Sequence, residues 1–107
     1  MSYEKNGRGA IAELLVHADL IKQGYQVFRE DTSQGIIDLV AVCPNTGNTR
    51  YFDVKALARR SDGSKINRTL KDTQRQFERA SGLLIELAYA DTETGEVQFP
   101  VRKQQVS

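Results

Sequence analysis

The fold class this chain predicts is a single α/β domain, with a mixed central sheet of about five strands flanked by two helices. Two segments repeat apolar residues at helical spacing, and five shorter ones are β-branched or alternate apolar with polar residues. They follow the order helix, three strands, helix, two strands. With 107 residues, 39% hydrophobic and 27% charged, the chain builds one core and not two. The domain is expected to span 1–107, with a core over about 7–101 and a frayed tail after it.

The first helix is read from "GAIAELLVHADLIKQG", where Ile11, Leu14, Leu15, Ala18 and Ile21 form an apolar stripe and Gly24 marks the stop. "YQVFRE" reads as a strand, "DTSQG" as a turn, and "IIDLVAV" as a second strand. "PNTGN" supplies the reversed backbone of a hairpin, and "TRYFDVKAL" returns as the partner strand. "ARRSDGSKIN" lacks periodicity and reads as a loop. "RTLKDTQRQFERAS" then sets Leu70, Thr73, Phe77 and Ala80 on one helical stripe. "GLLIELAYA" reads as a central strand, and "EVQFPV" as an edge strand because Pro100 cannot donate to a ladder.

No apolar run approaches the roughly 20 residues that a membrane helix needs, so the expectation is no membrane span. The N-terminus has no apolar signal-like region and Cys43 has no second cysteine to pair with, which points to a reducing cytoplasm. Next to Pro44, Cys43 reads as a small apolar filler. The formal charge is +1, but residues 55–79 carry a net +5 and the remainder a net −4. This asymmetry points to one face for a polyanion.

"YFDVKAL" places an acid and a lysine inside a half-buried strand. A hairpin centred between Asn45 and Thr46 puts Asp38 opposite Asp53. Like charges at cross-strand distance repel unless a cation lies between them. Lys55 shares the face of Asp53 and reaches the same spot. Two carboxylates with waters suit Mg²⁺, with Mn²⁺ as a substitute. Zinc favours thiolates and imidazoles, and the chain has one Cys and one His.

Glu13 on a first helix, Asp38 on a strand, and "DVK" on the next strand before a helix and another strand resemble the PD-(D/E)XK nuclease superfamily. The resemblance covers about residues 7–90 by order and spacing. It implies a restriction-endonuclease-like core and a metal-dependent endodeoxyribonuclease. Asp38 and Asp53 would be metal ligands, Glu13 an auxiliary ligand, and Lys55 the partner of the attacking water and scissile phosphate. Gln74, in "TQRQF", matches a position where several branches place a glutamine near the metal. Asp53 stands where a glutamate is commoner, one methylene shorter.

Small size and the leading "GRGAIAE" look like the archaeal-type Holliday junction resolvases and related minimal or homing-type endonucleases. Those resolvases commonly carry a basic residue directly after the helix glutamate, where this chain has Leu14. Arg68, Lys71, Arg75 and Arg79 form a basic stripe, and Arg59, Arg60 and Lys65 lie in the loop beside "DVK". Together they are the expected contacts to DNA phosphates. A chain this small has little surface to enclose a duplex, so a homodimer or higher symmetric assembly is expected.

Plainer readings stand beside these. Asp53 and Lys55 could be an exposed pair on an edge strand, Glu13 and Gln74 ordinary polar-face residues, His17 structural or solvated, and the basic stripe a solvated face. Asp38 resists such a reading because it interrupts an apolar run. At the level of function, the alternatives are a phage or mobile-element nuclease acting on ordinary duplex DNA and a non-catalytic DNA-binding protein on a nuclease-like scaffold.

Overall fold

The computed structural model describes residues 3–32, 35–57 and 70–100. Among these, helix α1 (Tyr3–Lys22) is followed by β1 (Gln26–Arg29), β2 (Leu39–Val42) and β3 (Thr49–Ala56). Helix α2 (Asp72–Ser81), β4 (Ile85–Ala90) and β5 (Val97–Gln98) complete the order. The expected sequence of elements is therefore present. The strands form one sheet in the order β1-β2-β3-β4-β5, with β3 and β4 parallel and every other pair antiparallel. The central strand is β3 rather than β4, which lies between β3 and the edge strand β5. The parallel step falls where the chain passes through α2, since antiparallel neighbours can be joined by a tight turn and parallel ones need a longer crossover.

α1 ends where the sequence marks it. Gly24 takes φ 97, its N–H donates to the Ile21 carbonyl, and the Tyr25 N–H reaches back to the Leu20 carbonyl. That pair of bonds satisfies carbonyls the helix would leave open, in a conformation that glycine adopts without strain. The β2–β3 hairpin turns through Pro44–Asn48 in the same manner. Gly47 sits at φ 75, and the Cys43 N–H donates to the Asn48 carbonyl at 2.8 Å.

The first helix presents a different face from the one its periodicity predicts. Ala12, Val16 and Leu20 are fully buried against Leu39, Ala41, Phe52, Ala88 and Ala90, with Leu15 packed at the margin. Ile11, Leu14 and Ile21 stay about half exposed, at 47%, 55% and 54%, and Ala18 is exposed with them. Between residues 10 and 21 apolar residues occupy two sides of the helix, so spacing alone selects no face. Smaller side chains at 12 and 16 let its backbone approach the sheet.

The α2 stripe is also corrected. Leu70 and Gln74 are the buried residues and Phe77 is half-buried, while Thr73 and Ala80 are exposed. Leu70 precedes the helix. Cys43 is half-exposed at the start of the hairpin turn rather than a core filler, and hydrogen bonding from Thr46 and Asn45 holds its thiol below the usual range.

Candidate metal and phosphate site

β2 begins at Leu39, three residues later than its apolar run suggests. The ladder pairs Leu39 with Phe52 and Val40 with Tyr51, the register expected from the hairpin. Asp38 continues the pairing by one step, its N–H donating to the Phe52 carbonyl at 2.9 Å and its carbonyl accepting from Glu30 N–H at 3.0 Å. Before it the chain leaves the sheet, because the Ile36 carbonyl accepts from the Gln74 side chain at 3.0 Å instead of from a strand. Asp38 thus stands at the point of departure, its side chain turned toward β3.

There Asp38 Oδ2 accepts a hydrogen bond from the Val54 N–H at 2.7 Å. Burial pushes the Asp38 carboxyl up to about 7. The Val54 N–H opposes the rise, and hydrogen bonding and charge from the adjacent Asp53 carboxyl add to it. Asp53 is itself only 6% exposed. Lys55 Nζ lies 3.2 Å from Asp53 Oδ2 as an ion pair, without the alignment of a hydrogen bond. Among the described residues Asp53 Oδ2 has no hydrogen-bond partner. The expected grouping of Asp38, Asp53 and Lys55 is therefore present, and the exposed-pair reading does not hold for the buried Asp53.

All three line a cavity of about 290 Å³ together with Gly35, Ile36, Val54, Lys71, Thr73 and Gln74. A buried carboxylate oxygen that accepts no hydrogen bond and has the Lys55 ammonium beside it, next to a second carboxyl, fits a hard divalent cation with water completing its shell.

Glu13 lies close enough for its charge to raise Asp38 further. It is held toward Arg29, whose Nε is 3.8 Å from Glu13 Oε1, and burial raises its own carboxyl despite that partner. The neighbouring His17 also opposes that rise. Among the described residues no group of three or more His, Cys, Asp or Glu side chains is arranged to hold a metal. The acidic side chains brought together at the cavity are thus Asp38 and Asp53, with Glu13 at their margin.

Gln74 lines the cavity with both ends of its amide engaged. Oε1 accepts from the Lys71 N–H at 2.8 Å and Nε2 donates to the Ile36 carbonyl. It is a brace between α2 and the segment leading to Asp38, not a solvated residue.

Of the expected DNA contacts, Arg59, Arg60, Lys65 and Arg68 lie outside the described residues. Lys71, Arg75 and Arg79 are exposed, one turn apart along α2, with Lys71 at the cavity rim.

Sequence reasoning overlooked Arg50. Its guanidinium grips Glu86 through two bonds of 2.8 and 2.7 Å and lies over Phe52, Tyr25 and Phe99, with ring centroids 4.9, 5.6 and 5.9 Å away. This group is structural and lies outside the cavity lining. A charged residue two positions from Phe52 on the same strand face was the only signal for it.

Among the described residues no helix is long and apolar enough to cross a membrane. Comparison of the chain with models of known protein families, with curated proteins and with solved structures finds no match in any of the three.

Proposed function

We propose that this chain is a Mg²⁺-dependent DNA endonuclease on a restriction-endonuclease-like core, working as a symmetric homo-oligomer. The observation that carries the reading is the buried Asp53 Oδ2, without a hydrogen-bond partner among the described residues, facing the cavity it shares with Asp38 and Lys55. Asp38 and Asp53 would hold the ion. When bound, such an ion neutralises phosphoryl charge and acidifies water at neutral pH.

The chain's own residues supply the rest. The Val54 N–H aims Asp38, Gln74 braces the segment before it, and Lys55 sets a positive charge where the phosphorus gains electron density during attack. Hydrolysis joins the water oxygen to phosphorus and breaks the bond to the leaving sugar oxygen, which gains a proton. The exposed Lys71, Arg75 and Arg79 form a track leading from the cavity, suited to successive phosphates and blind to base identity.

The homo-oligomer is supported by the outward Ile11, Leu14 and Ile21 of α1, an apolar stripe on the side away from the core. Mass measurement in solution is expected to show a dimer or larger symmetric species that Leu14→Glu weakens. A monomer at high concentration, with and without DNA, rejects this part.

The test of activity is incubation with linear duplex, single-stranded and four-way-junction DNA, with Mg²⁺, Mn²⁺ or EDTA. Cleavage that requires the metal is expected. Symmetric nicks confined to the junction identify a resolvase, and cutting of plain duplex identifies a general endonuclease. Binding without metal-dependent cleavage of any substrate leaves only a nuclease-like scaffold.

A further inference from the structure

One row of the sheet borders the cavity without lining it. Val27, Leu39, Ala41 and Phe52 pack with the core under α1, so the residues between them point to the opposite face of the sheet. The ladder pairs Phe28 with Val40 and Val40 with Tyr51, which sets these three side chains side by side on that face. Asp53 and Lys55 follow Tyr51 on the same face of β3, and both line the cavity. Tyr51 and Asp53 are two residues apart, so the row stands about 7 Å from the carboxylates.

The row is open to a ligand. Phe28, on the edge strand β1, is 52% exposed, and Val40 and Tyr51 are half-buried. Three contiguous apolar side chains differ from a scattered one in offering a continuous surface. The next row away from the cavity, formed by Gln26, Val42 and Thr49, is also uncharged. Glu30 follows β1 on this face, but its carboxylate is drawn into its own turn, where it accepts from Thr32 and Gly35. Positive charge lies instead at the cavity, on Lys55 and Lys71.

A ligand that complements both parts carries anionic charge along one side and flat apolar surface along the other. A single strand of DNA has this character, with phosphates on one side and the faces of unstacked bases on the other. A duplex keeps those faces stacked on one another, and an apolar protein segment would leave the lysines unmatched. We propose that Phe28 and Tyr51 form a stacking platform for an unpaired base beside the nucleotide whose phosphate enters the cavity. The platform rests on the endonuclease reading and names its substrate class, DNA with unpaired nucleotides next to the bond that is cut. Every base has a face to stack, so the platform sets no sequence preference.

The test is binding of the full chain, in EDTA, to a fluorescent oligothymidylate and to an abasic strand of the same length and charge. The parent is expected to bind the oligothymidylate more tightly. Phe28→Ala is expected to weaken that binding about tenfold and Phe28→Trp to restore it, with binding of the abasic strand unchanged in both. Circular dichroism checks that the variants fold, and Phe28→Leu, which keeps an apolar side chain without a ring, should show a loss in the same direction. Equal affinity of the parent for the two strands, or an equal loss on both strands in Phe28→Ala, rejects the platform. Weakened self-association in Phe28→Ala with an unchanged preference for bases also rejects it and assigns the row to a second copy of the chain. Cleavage with Mg²⁺ is scored separately. DNA that is cut without any preference for bases in binding leaves the endonuclease reading and removes the platform. A preference for bases that depends on Phe28, with no metal-dependent cleavage of any substrate, supports the platform and removes the endonuclease reading.

Discussion

The side-chain amide of Gln74 donates to the Ile36 carbonyl at 3.0 Å, two residues ahead of Asp38, while its oxygen accepts from the Lys71 N–H. One buried side chain thus ties the start of α2 to the segment that delivers a candidate ligand. Gln74→Ala leaves both groups without a partner and is expected to cost about 1–3 kcal/mol of stability in urea unfolding. It should also lower Mg²⁺ affinity, because Asp38 is then less well aimed. Stability and Mg²⁺ affinity equal to the parent would show that the brace is dispensable.

Asp53→Asn removes one of two adjacent carboxyls. Without metal, the variant is expected to melt close to the parent, since relieving the charge that crowds Asp38 is offset by the loss of the ion pair with Lys55. On the proposed function, Mg²⁺ stabilises the parent by mass action and not the variant. Calorimetry with and without Mg²⁺ checks both outcomes. On the proposed function, cleavage falls at least about 100-fold while DNA binding persists.

The Asp38 carboxyl, raised from 3.8 to about 7, makes metal-free stability depend on pH. Between these values the folded state holds a proton that the unfolded state has released, so this group's contribution to stability falls as pH rises from about 4 to about 7. Above that range it adds no further slope. Urea midpoints between pH 4 and pH 8 in EDTA should show the decline, and Asp38→Asn should flatten it. A parent and variant with parallel profiles would disprove the assignment.

Arg50→Lys is expected to cost about 1–2 kcal/mol, because an ammonium cannot hold both Glu86 oxygens while stacking on Phe52, Tyr25 and Phe99. Arg50→Ala should cost more, leaving Glu86 without its fork. Thermal melts of the two variants give the order, and DNA cleavage by Arg50→Lys should change little once the domain is folded.

Local chemistry determined the element order, the hairpin register that sets Asp38 across from Asp53, and the stop at Gly24. Each depends on residues close in sequence: alternation within a strand, turn residues between strands, and a glycine that reverses the backbone after a helix. The face of α1 that packs inward was decided only by tertiary structure, because the helix is apolar on both sides and the sheet accepts the one carrying Ala12 and Val16. The same holds for Gln74, whose burial depends on a carbonyl 38 residues away, and for Arg50, whose partners Tyr25, Glu86 and Phe99 come from three separate segments. Hydrogen bonds and packing between distant segments leave no periodic trace in the chain, since they exist only once the sheet has brought those segments side by side.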